Sequence, residues 1–553
     1  MTQTESRRWW ALGALSLSVL VVALDLFVLS LALPTLSADL HASSSDLQWF
    51  VVAYSLVLAA ALLPAGMLGD RIGRKKILLV ALAVFGIASV ACAYSRSAGE
   101  LIAARAVLGI AAAVILPMSL AVLPVMFSAE ERPRAIAAVG GATFLGYPIG
   151  PILGGWLLDH FWWGSVFLIN IPVVVIAIVA VAVLMPESRG DATARIDVIG
   201  IAISSIGLGL LTYGLIKAGN DGWGDAVAVG TMAGGVVVLG AFTWWERRVS
   251  RQAGVERGSS PLASTVAGKG GGAQPLIDLN LFSSAGFTWG TVLSTLVSFA
   301  LFGLVFAMPQ YFLDVRGLDS LGAGVRMLPM IGGLALGLVL GQRLQTPRKP
   351  KGAAADAAAG SPTVGPKVLI SVGFVIMAVA LAVGTRTTLA SSTSFAAAWF
   401  AVTGLGLGIA LPTALSIALG ALAPARSGSG SALITAMRQV GGTIGVAILG
   451  TVLATVYQGR LHLTGLPTSA VDTIRKSVAG GIAIAKASGS NALLDVVRTA
   501  YVHGLDVMLW VCAGIAFASA ALAIAFLPRR VAAPPSEAGD HDTAASTVAT
   551  PAL

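Results

Sequence analysis

Trp9-Trp-Ala-Leu-Gly-Ala-Leu-Ser-Leu-Ser-Val-Leu-Val-Val-Ala-Leu-Asp25-Leu-Phe-Val-Leu-Ser-Leu-Ala-Leu-Pro34-Thr-Leu36 holds a single charged residue, Asp25. A bilayer core needs roughly 20 apolar residues per helix, so this run is long enough to cross one. It is also too long for a signal peptide and has no small-residue cleavage site after it, so it reads as a permanent span. Similar runs recur along almost all of the 553 residues, and the whole chain is 56% hydrophobic and 11% charged. Ordinary soluble domains carry about 25% charged residues. The chain is therefore expected to be an all-α polytopic membrane protein without a sizeable soluble domain.

Apolar runs bounded by charge, Gly or Pro place fourteen spans. They lie near residues 9–36, 47–69, 77–94, 100–127, 135–158, 161–185, 198–217, 226–245, 285–313, 321–341, 367–385, 394–423, 431–457 and 502–527. Basic residues set the orientation, because cytoplasmic segments carry the excess of Lys and Arg. Alternate gaps hold clusters such as Arg71, Arg74, Lys75 and Lys76, or Arg247, Arg248 and Arg251. The short loops on the other side hold only Arg96, Lys217, Arg316, Arg326 and Arg386. Both ends are thus expected in the cytoplasm. The net charge of +9 is spread over these short segments and forms no nucleic-acid surface. Residues 247–283 and 343–366, rich in small residues and Pro, read as cytoplasmic linkers. Residues 458–501 read as an outer loop with a short helical hairpin, and 531–553 as a disordered tail.

No functional chemistry other than transport is visible. Cys92 and Cys512 both sit in apolar runs, and the five histidines lack metal-ligand spacing. No phosphate-cradling GxxxxGK[ST] stretch occurs. No metal and no cofactor are expected.

Asp25 lies nine residues before Pro34, roughly 13 to 14 Å below the outer end of its helix. An intramembrane acid costs at least about 2.5 kcal/mol to insert, so it must face protein or water, and it is a functional candidate by default. A purely structural interhelical hydrogen bond is the alternative. Arg105 begins the fourth span about 7 to 8 Å below the same surface and can reach toward Asp25, or else snorkel to the headgroups. Asp314, beside Tyr311, is a second candidate proton or cation site at the outer end of the ninth span, although Arg316 and Asp319 nearby also suit a solvated loop. Asp506 is a third. Phe144, Tyr147, Trp289, Tyr311 and Arg438 lie within or at the ends of spans and could line a cavity.

After the second span comes Gly66-Met-Leu-Gly69-Asp70-Arg71-Ile-Gly73-Arg74-Lys75-Lys76. Two spans into the second half, Gly341-Gln342-Arg343 and Gly365-Pro366-Lys367 form a degraded echo of it, interrupted by an insertion. Repeated halves are common in transporters. Further ordered motifs are Leu24-Asp25 with Ala32-Leu33-Pro34, Arg105 followed by Gly109, Gly146-x-x-x-Gly150-Pro151-x-x-Gly154-Gly155, Phe167-Leu-Ile-Asn170-x-Pro172, and Arg438-Gln439-x-Gly441-Gly442. Together these resemble the major facilitator superfamily, in particular its fourteen-span drug:proton antiporter branch, over residues 9–528.

The resemblance implies two six-helix domains, residues 1–190 and 284–530, with two additional helices at 191–246. It implies a bacterial inner-membrane exporter of hydrophobic or cationic small molecules, driven by the proton gradient, with Asp25, Arg105 and Asp314 in proton coupling or substrate binding. Gly69, Asp70, Arg71, Gly73, Arg74 and Lys75 look like a latch, Asp70 accepting from a helix N-terminus of the opposite domain and the basic residues pairing across the cytoplasmic seam. Gly146, Gly150, Pro151, Gly154 and Gly155 look like the antiporter-type helix motif; small residues in this spacing also serve ordinary close packing. A dedicated exporter of one secondary metabolite, an importer, and a non-transporting receptor or scaffold built on the same helices remain as alternatives.

Overall fold

The computed structural model describes residues 3–128, 130–189, 197–258, 279–345, 364–422 and 427–527. The expectations for 259–278, for 346–363 and for the tail from 531 lie outside the described residues. Eighteen helices follow one another among them: α1 (Gln3–Asp39), α2 (Ser44–Ile72), α3 (Arg74–Ala93), α4 (Ala98–Ala121), α5 (Leu123–Met126), α6 (Arg132–His160), α7 (Ser165–Leu168), α8 (Asn170–Leu184), α9 (Val198–Asp221), α10 (Ala226–Gly258), α11 (Ala285–Gln310), α12 (Ser320–Gln345), α13 (Pro366–Gly384), α14 (Thr393–Gly420), α15 (Ser427–Arg460), α16 (Thr468–Lys476), α17 (Val478–Ala487) and α18 (Asn491–Phe526). Fourteen helical segments are long and apolar enough to cross a membrane. With an even number of crossings, both ends of the described chain lie on one face. That face carries the basic clusters and is called the basic face below.

The helices end where the sequence supplies caps. Ser43 opens α2 with a reciprocal capping box, its hydroxyl accepting from Asp46 N while Asp46 accepts from Ser43 N at 2.8 Å. Ser97, Ser284, Ser392, Ser477 and Ser490 cap α4, α11, α14, α17 and α18 from one side only, each hydroxyl accepting from a backbone N–H of the first turn. Between α2 and α3 a single residue reverses the chain. Gly73 does this at φ 125°, a backbone state that side chains disfavour.

Packing sorts the spans into two bundles and a pair. Helices α1 to α8 pack among themselves, as do α11 to α15 with α18. The α9–α10 pair packs through α9 on α2 and α15, one helix from each bundle. Apolar residues such as Val175, Ile176 and Val179 of α8, or Val236 and Val237 of α10, remain exposed on the perimeter. In water this would be a fault, but it is the surface a lipid-facing helix requires.

Two expected boundaries move. α10 continues to Gly258, past the expected start of a linker at 247, because Glu246-Arg247-Arg248 are good helix formers and Arg248 lies 5.7 Å over the Trp244 ring one turn earlier. The outer segment 458–501 folds as the short pair α16 and α17, and α18 starts at Asn491 rather than near 502.

Candidate functional site

Asp25 and Arg105 meet inside the first bundle. Arg105 donates through Nη1 to Asp25 Oδ2 and through Nε to the Phe50 carbonyl at 2.9 Å. Asn170 Nδ2 approaches Asp25 Oδ1 at 3.4 Å and Ser89 Oγ at 3.2 Å, and the Tyr54 ring lies 4.5 Å from the guanidinium carbon. Five helices, α1, α2, α3, α4 and α8, therefore contribute to one polar cluster. Asp25 is 2% exposed and Arg105 0%. A charge at this depth is tolerable only when paired and hydrogen-bonded. The cluster is nevertheless incomplete, since Arg105 Nη2 and the Tyr54 hydroxyl are buried without a partner among the described residues. The carboxylate points into the bundle, facing protein rather than water.

The glycine motif of α6 lies directly against the turn of α1 that carries Asp25. A Cβ on Gly146 would sit 2.7 Å from Ala23 Cβ, one on Gly150 2.8 Å from Phe27 Cβ, and one on Gly154 3.1 Å from Val28 Cγ1. Gly155 turns to the other bundle, where a Cβ would meet the Ser320 carbonyl at 2.5 Å, and Gly324 of α12 packs onto the Pro151 carbonyl. One helix thus touches both the acid-bearing turn and the opposing bundle, at the end remote from the basic face.

At the same end Asp159 accepts from Ser320 N and Leu321 N, both at 2.9 Å, capping α12 across the seam. Ser44 Oγ donates to the Lys476 carbonyl at 2.8 Å, tying the α16–α17 pair to the first bundle. On α1 every residue from Val21 to Pro34 except Leu26 is buried. Toward the basic face Gly13 is exposed, and Leu17 and Leu20 are half-buried. The hydrogen bonds that cross between the bundles at Asp159 and Ser44 lie at the far face.

The candidate latch is disengaged from the second bundle in this state. Asp70 Oδ1 accepts from Arg74 Nε at 2.8 Å, Arg74 Nη1 donates to the Ala121 carbonyl at 2.7 Å, Lys75 Nζ to the Ala182 carbonyl at 2.6 Å, and Arg71 is exposed. Gly69 packs on Met118, and a Cβ at Gly73 would sit 2.8 Å from Glu187 Oε1. All of these partners belong to the first bundle. The cross-seam helix cap expected at Asp70 is instead made by Asp159 at the opposite face, a residue the sequence reading passed over.

Asp314 is far from Asp25 in the fold. It lies in the second bundle on a π-helical turn, Tyr311–Val315, with Oδ2 lacking a partner among the described residues and Lys486 of α17 as its electrostatic neighbour. The nearby phenols of Tyr457 and Tyr501 donate to the Ile474 and Ala307 carbonyls at 2.8 Å each. Tyr311 is buried against Phe312, and Asp506 Oδ1 is also unpartnered. Trp289, one of the residues that could line a cavity, stacks on Phe526 of α18 at 4.4 Å and 9°, two flat rings burying each other's faces. Phe144 and Tyr147 are half-buried, their rings 5.9 Å apart and tilted by 51°, with Tyr147 also 4.8 Å from Phe27. Arg438 of α15, half-buried, donates from Nε to Ser298 Oγ at 3.2 Å, with Tyr147 of the other bundle among the polar groups in its surroundings.

Known proteins resemble this chain over nearly its full length. The multidrug efflux pump LfrA of Mycolicibacterium smegmatis is 31% identical over 526 residues, covering 94% of this chain and 96% of its own. The tetracenomycin C resistance and export protein of Streptomyces glaucescens is 29% identical over 530 residues, covering 94% and 91%. Among solved structures, a bacterial homologue of the human lysosomal transporter Spinster, inward-facing and unoccupied, superposes with a TM-score of 0.62 at 17% identity over 93% of this chain and 97% of that one. A D-xylose–proton symporter superposes with a TM-score of 0.57 at 13% identity, covering 94% and 98%. The family model of the Major Facilitator Superfamily matches residues 15–446. With fourteen spans arranged as two bundles and a pair, and a family match across most of its length, this multi-pass membrane protein belongs to the Major Facilitator Superfamily.

Proposed function

We propose that the protein exports small hydrophobic molecules, including drug-like cations, across the bacterial cytoplasmic membrane in exchange for protons, with both termini cytoplasmic. The observation that carries this reading is the Asp25–Arg105 pair, sealed at membrane depth behind the α6 glycine face. Residues 1–190 and 284–530 act as the two moving units, and the two helices within 191–246 ride between them.

Protonation of Asp25 would remove the charge that holds Arg105 and leave a buried cation seeking the partners it lacks. The acid-bearing turn packs on α6, and α6 packs on α12 at the far-face seal, so a shift at the pair bears on closure there. Such coupling works only if the proton and the substrate each favour a different facing state. The multidrug pump among the relatives supports a broad range, and the tetracenomycin C exporter supports a second reading, a dedicated metabolite exporter.

The test is transport of tetraphenylphosphonium and a panel of chemically unlike dyes in proteoliposomes with an imposed pH gradient. Gradient-driven movement that an ionophore abolishes, and that Asp25→Asn lacks, is the expected result. Flux indifferent to the ionophore removes proton coupling, and no flux at all favours a receptor or scaffold. Movement of a single compound favours the dedicated exporter.

A further inference from the structure

Arg438 is a half-buried cation within a membrane span. Asp25 is neutralised and sealed, whereas Arg438 sits eight residues inside the span that begins at Gly430, about 12 Å along the helix axis. Ser431, Thr435 and Arg438 share one face of α15, and all three are half-buried, while Leu433, Ile434 and Ala436 turn inward. Among the described residues Arg438 has no carboxylate partner; its one hydrogen bond, from Nε to Ser298, leaves both Nη groups unspent. Across the seam lies Tyr147, whose hydroxyl makes no hydrogen bond within the described residues and whose ring continues into Phe144.

We infer that Arg438 and Tyr147 form a substrate subsite for an acidic group carried on an aromatic body. A guanidinium with two free N–H edges takes a carboxylate or phenolate in paired hydrogen bonds. The Tyr147–Phe144 surface offers the attached ring a stacking face. Holding an unpaired Arg in the span is costly, and an arriving anion relieves that cost. The chemical class is an amphipathic aromatic acid, or a zwitterion whose acidic end reaches this point. The inference rests on the export reading for its biological meaning, but binding can be measured without transport.

The experiment uses the full chain in phosphatidylcholine nanodiscs and three matched naphthalene probes, bearing a carboxylate, a methyl ester or a trimethylammonium. The wild type is expected to bind the carboxylate more tightly than the ester. Arg438→Gln should weaken carboxylate binding by about tenfold or more, the size of a lost charged hydrogen bond, leave the ester within about twofold, and improve the trimethylammonium probe; Arg438→Lys should retain part of the preference. Equal weakening of all three probes, or no carboxylate preference in the wild type, overturns the subsite. Displacement of the carboxylate probe by added phosphatidylglycerol would assign the guanidinium to a lipid phosphate and overturn it too. If carboxylate binding follows this pattern while the pH-gradient assay shows no flux, the export reading fails and the subsite stands.

Discussion

Replacing Asp25 by Asn removes the anion from a guanidinium that is 0% exposed. Breaking a buried ion pair on one side costs about 3–5 kcal/mol. The new amide oxygen can still accept one neutral hydrogen bond, worth about 0.5–1.5 kcal/mol, so the expected net loss is about 2–4 kcal/mol. Arg105→Gln strands the carboxylate with only the long Asn170 contact at 3.4 Å and should cost about 3–5 kcal/mol. The double variant places two neutral amides in the same space and is expected within about 1 kcal/mol of the wild type, a non-additivity of about 4 kcal/mol or more. The native thiols give the assay, because Cys92 of α3 and Cys512 of α18 are free and buried, one in each bundle. A thiol-reactive fluorophore therefore reports the unfolding of both bundles during denaturant titration. Wild-type resistance in Asp25→Asn, or a double variant as weak as the summed singles, would refute the account of the cluster. A double variant that is stable yet no longer driven by the pH gradient would separate the pair's coupling role from its structural one.

Asp159→Ala deletes two backbone hydrogen bonds at the start of α12 and, by the scale of helix caps, should shift the closed-to-open balance at the far face by about 0.5–2 kcal/mol; spin labels at positions 96 and 390 should show a larger population of long distances, and an unchanged distribution would contradict the clamp. A cysteine pair at Ser44 and Lys476, if oxidised, should hold the far face shut and stop transport until a reductant is added; undiminished transport by the cross-linked protein would show that this contact never opens. Gly150→Ala should cost about 1–3 kcal/mol through overpacking on Phe27, whereas Gly141→Ala, where a Cβ meets nothing within 4 Å, should be neutral or mildly stabilising. Equal unfolding behaviour of these two variants would remove the close approach of α6 to α1 as an explanation.

The spans were legible because a hydrophobic run of sufficient length has few other uses, and the Asp25–Arg105 pair because rise per residue converts sequence position into depth. Orientation around a helix axis is harder to extract. Trp289 and Tyr147 both occupy apolar helices, and only packing shows that the first turns to Phe526 and the second to Phe27. Partners drawn from remote segments were invisible for a related reason. Asp159 is 161 positions from Ser320, and Ser44 is 432 from Lys476, so no local pattern announces either bond. The extended ends of α10 and α18 were missed because hydropathy marks where a helix leaves the lipid, while capping and propensity decide where it stops.

The additional pair α9–α10 gives the molecule two unlike flanks. At the α2–α15 side, α9 bridges both bundles, with Thr451 donating to the Leu215 carbonyl at 2.9 Å and Trp49 lying 6.4 Å from Tyr213, and α10 stands outside it. At the α6–α12 side a single line of contact separates the interior from the acyl chains. A hydrophobic compound dissolved in the bilayer leaflet therefore meets a double wall on one flank and a single one on the other, so lateral entry from the lipid, where it occurs, is one-sided.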